Sequence, residues 1–263
     1  MTNSSPPPEP TLRSLFSDLL KFIYPPLCQV CGAAFDGDNI WLCHRCRSIL
    51  EQRPAPVCPI CRHLQDKPIS RCHHCRKRTL IKWVYSLGTY DGPYGNLIKA
   101  FKYSPKPGLG KLLGEMLVNK LKEFKHLEKI EAVCPVPLHY RKQVRRGFNQ
   151  SEVIARQLAE SLQLEYLPGQ LIQVRQNRDQ IGLTIAERFA NVHDIYEVSR
   201  DFDLAGKSVL LVDDVTTSGA TLHAAARALR DGGVNSVAAA TIAVATEAGI
   251  DPAATLDYLT EVF

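Results

Sequence analysis

Eight of the nine cysteines in this 263-residue chain lie between Cys28 and Cys75, in four C-x-x-C pairs: Cys28/Cys31, Cys43/Cys46, Cys58/Cys61 and Cys72/Cys75. A tight turn lets each pair present two thiolates to a tetrahedral zinc at about 2.3 Å, so eight thiols complete two four-cysteine sites with no open position. Closed sites of this kind are structural rather than catalytic. They also answer a stability problem. A module of fewer than ~60 residues buries too little surface to fold well unaided, and a structural zinc contributes about 10–16 kcal/mol. The gaps between successive pairs are 11, 11 and 10 residues, so spacing permits sequential or interleaved sites. Arg53-Pro54-Ala55-Pro56 reads as a linker between two ribbons, which favours the sequential arrangement. His44, His63, His73 and His74 lie nearby, but with the thiols complete they read as exposed side chains. Cys134 stands apart on an expected buried strand and reads as an inert core thiol.

Clustered C-x-x-C pairs indicate metal in a reducing compartment, where disulfides are rare. The first eleven residues are polar and Pro-rich, without the basic and apolar regions of a secretory signal. The longest apolar stretch, Val237 to Ala245, falls well short of the ~20 residues a bilayer crossing needs. Leu12, Leu15, Phe16, Leu19, Leu20 and Ile23 form one helical stripe, stopped by Pro25 and Pro26. Its polar face carries only Arg13 and Lys21 beside Asp18, too weakly basic for a membrane-surface helix. A cytoplasmic chain without membrane insertion is expected.

Charge is lopsided. From Trp41 to Lys82 there are ten Lys/Arg and two Asp/Glu, whereas the whole chain carries a formal net charge of only +5. Arg45, Arg47, Arg62, Arg71, Arg76, Lys77 and Arg78, with Trp41 as a stacking surface, fit a nucleic-acid patch on the cysteine module. A solvated surface on a small metal-cored module fits equally; a steep loss of affinity with added salt would distinguish the two.

Beyond residue 82 the pattern alternates strands and helices. Strands are expected at Trp83–Tyr90, Ile130–Val136, Lys207–Val212 and Ser236–Ala245, and helices at Tyr94–Tyr103, Leu109–Phe124, Ser151–Leu162 and Gly219–Leu229. This is the signature of a parallel sheet in an α/β domain with right-handed crossovers.

The most specific stretch is Val209-Leu-Leu-Val-Asp213-Asp214-Val-Thr216-Thr217-Ser218-Gly219-Ala220-Thr221. An apolar strand runs into two acids, then a hydroxyl- and glycine-rich turn, then a helix. Such a turn directs backbone N–H groups and the positive helix end at one point, where an anion binds. Adjacent carboxylates at the strand's end suit sugar hydroxyls and a hydrated Mg²⁺. The order resembles the phosphoribosyl-diphosphate (PRPP) loop of type I phosphoribosyltransferases. Gly206-Lys207-Ser208 precedes its strand and is no P-loop, and Gly108, Gly110 and Gly114 have the wrong spacing for a dinucleotide fingerprint. A second candidate phosphate contact is the acid-free basic stretch from Cys134 to Gln150, read as a loop at the end of another parallel strand.

Taken together, the cysteine pairs, Pro135-Val136-Pro137-Leu138, Arg146-Gly147-Phe148-Asn149-Gln150 and the Asp213-Asp214 loop resemble the ComF (ComFC/GntX) family. Ile98-Lys99-Ala100-Phe101-Lys102-Tyr103, Gln180-Ile-Gly-Leu183 and Glu187 to Val192 match as well, with Asn177 departing from an expected Thr. The resemblance implies a double zinc ribbon with two structural zinc ions over 27–80, after a polar tail and helix over 1–26. A phosphoribosyltransferase-like domain over 83–263 would follow. It further implies handling of single-stranded DNA in natural transformation, with a competence helicase or other DNA-uptake protein as partner. By the same resemblance, Asp213 and Asp214 would contact ribose hydroxyls, and Thr216, Thr217, Ser218, Gly219, Ala220 and Thr221 would hold the 5′-phosphate of PRPP, bound with Mg²⁺. Pro135, Val136, Pro137 and Leu138 would lie by the diphosphate. Arg145, Arg146, Gly147, Phe148, Asn149 and Gln150 would fall in or near a mobile cover. No general base or acceptor pocket is legible, so PRPP binding without turnover and phosphoribosyl transfer to an unidentified acceptor both remain open.

Overall fold

The computed structural model describes residues 25–35, 41–51, 55–58, 80–103, 107–175, 184–192, 194–199 and 204–245. The expected helix over Leu12–Ile23 and residues 59–79, with Cys61, Cys72, Cys75, Arg62, Arg71, Arg76, Lys77 and Arg78, lie outside them, as does Gln180–Leu183. The chain divides into two compact units, Met1–Ile49 and Leu50–Phe263. In the first, Leu27 bridges to Ala34 around a turn that carries Cys28 and Cys31. Helix α1 (His44–Glu51) begins between Cys43 and Cys46.

The second unit is built on a six-stranded sheet. Its strands are β1 (Ala55–Val57), β2 (Ile81–Thr89), β3 (Ala132–Pro135), β4 (Glu165–Tyr166), β7 (Ser208–Thr216) and β8 (Ser236–Val244), in the order β1-β2-β8-β7-β3-β4. Only the β1–β2 pairing is antiparallel; the rest are parallel. Ala55 and Pro56, read from the sequence as part of a linker between ribbons, instead join Val57 in this antiparallel edge strand, with Pro56 opposite Tyr85. An edge is where a residue without an N–H can join a sheet. The 27–80 extent of the ribbon domain stays an expectation, since most of its second half lies outside the described residues.

Helices α2 (Pro93–Tyr103), α3 (Pro107–Lys122), α4 (Tyr140–Arg146), α5 (Gln150–Leu162) and α7 (Ala220–Asp231) connect the strands. A separate two-stranded sheet pairs β5 (Leu171–Gln173) with β6 (Tyr196–Val198), and a short α6 (Ile185–Asn191) lies between them in sequence. Side chains alternate along a strand, and the core follows that alternation. Val209 and Leu211, Val237 and Ala239, and Ala132 and Cys134 share one cluster with Leu222, Ala225, Ala226 and Leu229 of α7 and Leu171 and Tyr196 of the small sheet. The intervening Leu210, Val212, Val133, Ala238 and Ala240 are equally buried on the other face, where α2, α3 and α5 pack. The continuous apolar runs in β7 and β8 thus serve a sheet covered on both sides.

The glycines of α3 have a packing role. A Cβ at Gly110 would stand 2.5 Å from Phe101 Cζ and 2.8 Å from Val153 Cγ1, and one at Gly114 2.8 Å from Gln157 Cβ. Four residues apart, they bring α3 close against α5. Gly114→Val is expected to destabilise the fold by about 1–3 kcal/mol through overpacking. Urea unfolding with an unchanged midpoint would contradict that close approach.

Candidate functional site

The four sulfurs of Cys28, Cys31, Cys43 and Cys46 lie within 4.8 Å of one another. Tetrahedral coordination at about 2.3 Å places sulfurs about 3.8 Å apart, and Cys31 and Cys43 are separated by 3.9 Å. The donor set therefore fits zinc, and the first two pairs come together sequentially. Cys28 and Cys46 are buried, while Cys31 is exposed. Burial acts to raise the Cys28 thiol, but backbone N–H groups of Cys43, Cys31 and Val30 hold it down at about 6. Cys46, desolvated and facing the other three sulfurs, is pushed up. Of the second quartet only Cys58 is described; it is buried directly after β1. Arg45 and Arg47 are exposed on α1. Cys134 is buried on β3, its thiol pushed up to about 12 by desolvation, as expected of an inert core thiol.

In the larger unit the chain leaves β3 outward to β4 and leaves β7 in the opposite direction to β8. The β3/β7 boundary is therefore the switch point, where open α/β sheets bind ligands beyond their carboxyl ends. A cleft of about 670 Å³ opens there. The sequence puts both candidate segments at its walls. Val136, Pro137 and Leu138 follow β3, and Asp213, Asp214, Thr216, Thr217, Gly219, Ala220 and Thr221 come from the end of β7 and the start of α7. Pro135 ends β3 itself, and Ser218 is buried behind the turn, its hydroxyl accepting from the Ala220 N–H.

Strand β7 does not stop before the acids, as the sequence suggests; it runs through them to Thr216. Alternation then gives the neighbouring carboxylates different partners. Asp214 meets Lys102 of α2 at 2.9 Å. Burial acts to neutralise that ammonium, but Asp214, with Asp213 behind it, overcomes the penalty and raises its pKa. Asp213 accepts from Ser151 Oγ at 2.9 Å and from the Asp214 N–H at 2.8 Å. Desolvation and then the Asp214 charge hold its carboxyl up at about 7. On its face stands Tyr196, whose hydroxyl is pushed up by burial and by Asp213.

The anion turn is only three residues long. Gly219 sits at φ 76, in the left-handed region, where it caps α7. The N–H groups of Thr217, Ser218 and Gly219 precede the first intrahelical bond, from His223 N to Gly219 O, and lie at the positive end of the helix.

The basic stretch read as a loop contains helix α4. His139 caps it, Nδ1 accepting from the Arg141 N–H at 3.3 Å, and Gly147 at φ 81 ends it. The segment after it packs against the domain through Phe148 and Asn149. Phe148 packs on Phe101 with ring centroids 5.3 Å apart. Asn149 Nδ2 donates to Val136 O, and its Oδ1 accepts from the Ser151 N–H, both at 3.0 Å. Asn149 thus ties the exit of β3 to the start of α5, and that helix delivers Ser151 to Asp213. Arg145, Arg146, Asn149 and Gln150 all line the cleft, and Arg146 donates to Gln150 Oε1 at 3.0 Å.

Sequence reasoning missed three features of the site. Lys102 lies in a motif quoted without a role. Ser151 follows the quoted motif directly. Gln173 and Tyr196, paired across β5 and β6, supply another part of the cleft lining from strands too short to leave a periodic signal.

Residues 135–261 match the phosphoribosyl transferase domain family. Competence protein F of Haemophilus influenzae is 29% identical over 203 residues, covering 74% of this chain and 87% of its own. Competence protein ComFC of Bacillus subtilis is 26% identical, covering 80% of this chain and 91% of its own. The chain is a ComF/ComFC/YhgH homologue. DNA utilization protein YhgH of Salmonella typhimurium is 25% identical, covering 81% of this chain and 94% of its own. This ComF homologue thus joins a four-cysteine cluster to an α/β phosphoribosyl transferase domain. Among its described residues, no helix is long and apolar enough to cross a membrane.

Proposed function

We propose that this protein binds PRPP with Mg²⁺ in the switch-point cleft and acts on incoming single-stranded DNA during its uptake and use. The observation that carries the PRPP reading is the passage of β7 through Asp213 and Asp214 directly into the three-residue turn at the start of α7. Carboxylates that accept sugar hydroxyls lie one turn from N–H groups that hold a phosphate. Lys102, Arg145 and Arg146 supply cations for a diphosphate. The adjacent carboxylates are the hard oxygen donors that suit Mg²⁺, which when bound with PRPP draws charge from the diphosphate. The relatives' names, competence and DNA utilization, support the DNA role. The cleft provides the donor half of a phosphoribosyl-transfer site, and the reading commits to binding.

Titration of the folded protein with PRPP in magnesium buffer is expected to give saturable heat that Asp214→Asn abolishes. No heat from well-folded protein would overturn the reading. Sustained pyrophosphate release, lost in the same variant, would extend it to phosphoribosyl transfer. Because Asp213 is held up at about 7, it is partly protonated at pH 6 and must ionise to accept two hydroxyl donors. Affinity is therefore expected to rise between pH 6 and 8, by at most about tenfold per unit below the pKa. A flat profile would remove Asp213 from the ribose contact.

A further inference from the structure

We propose that the outer face of α4 is a docking surface for single-stranded nucleic acid at the rim of the cleft. The inference rests on the DNA-handling reading above and gives it a location outside the cysteine module. Helices of an α/β domain turn apolar side chains to the core, yet no residue of α4 is buried. Tyr140 is 75% exposed and Val144, one turn later, 63%. Arg141 and Arg145 form the adjacent stripe and are also exposed, while Lys142 and Arg146, again four apart, line the cleft. Tyr103 of α2, whose ring lines the cleft, is 76% exposed.

Charge selects the occupant. The segment from Ala132 to Ser151 contains no acid, and the seven residues of α4 include four Lys/Arg. A second copy of the same face would bring like charges together, whereas a polyanion releases counterions on binding. An exposed ring beside arginines accepts an unstacked base, which a duplex hides. The helix is about 10 Å long at ~1.5 Å per residue, enough for a few nucleotides. Capped at His139 and ended at Gly147, it holds Tyr140 in place before a strand arrives.

The test is anisotropy of a labelled oligothymidylate against the full-length, zinc-loaded protein over a salt series. Tyr140→Ala is expected to weaken binding about 5- to 150-fold, the range for losing one stacked base, and Tyr140→Phe to restore it. Arg141→Ala should lower the slope of log affinity against log salt by about 0.7. Neither should alter the heat of PRPP binding. Wild-type affinity retained in Tyr140→Ala and Arg141→Ala would overturn the location while leaving the DNA reading intact. No binding by the wild-type protein at low salt would overturn both. A change in sedimentation of Tyr140→Ala without a change in DNA affinity would make the face a contact between copies instead.

Discussion

Metal analysis of fully reduced protein is expected to return two zinc ions per chain, and Cys28→Ser to remove one of them together with the fold of its module. The four sulfurs of Cys28, Cys31, Cys43 and Cys46 meet within 4.8 Å, and only a cation stabilises so many thiolates at that separation. Binding of about 10–16 kcal/mol per structural zinc exceeds what so small a module's apolar core supplies. Chelation should therefore release the amides between residues 28 and 46 to fast hydrogen exchange. A single ion in the wild-type protein would retain this site and defeat the second quartet. Full protection after removal of all metal would defeat the structural role altogether.

Lys102→Met is expected to destabilise the larger unit by about 3–5 kcal/mol at neutral pH, because it strands Asp214 as a buried charge without its partner. The pH dependence has a definite sign. Asp213 titrates at about 7 in the fold, above the ~3.9 of an unfolded aspartate. Its ionisation therefore lowers stability as pH rises from about 4 through 7. Without Lys102 that decline should steepen, so the variant's deficit should be largest above pH 7 and shrink on acidification. In the wild type, the raised pKa of Lys102 means its own contribution is full below ~10.4 and is lost at higher pH as the ammonium deprotonates. Replacing both partners, Lys102→Met with Asp214→Leu, should recover much of the stability while leaving PRPP unbound. Urea unfolding and calorimetry on the same samples measure the two effects. A Lys102→Met protein as stable as the wild type at pH 8 would mean that the pair is not a buried ion pair.

The major strands and helices beyond residue 80 were legible because their side chains repeat with the period of their elements. The runs in β7 and β8 have the apolar content of strands covered on both faces, and α7 carries its apolar stripe at Leu222, Ala225, Ala226 and Leu229. The strand Ala55–Val57 and the β5–β6 pair were not legible. Three residues hold less than two periods of any pattern, and their place is fixed by a partner remote in sequence, as with Val57 opposite Val84. Helix α4 leaves no helical signal in the sequence because it buries nothing; apolar periodicity marks a helix only where a core receives it.

Residue types at short spacing set which chemistries are available: thiols in metal-binding pairs, and twin acids running into a hydroxyl-rich turn. Those depend on residue type and short spacing, which the chain carries locally. The folded domain gives Asp213 and Asp214 different partners, Ser151 for the first and Lys102 for the second. The extension of β7 through Thr216 imposes that divergence. It also took the fold to bring Ser151 and Lys102 to those acids from 62 and 112 residues away, because charge placement in a cleft depends on which elements pack together, and packing is a property of the whole domain.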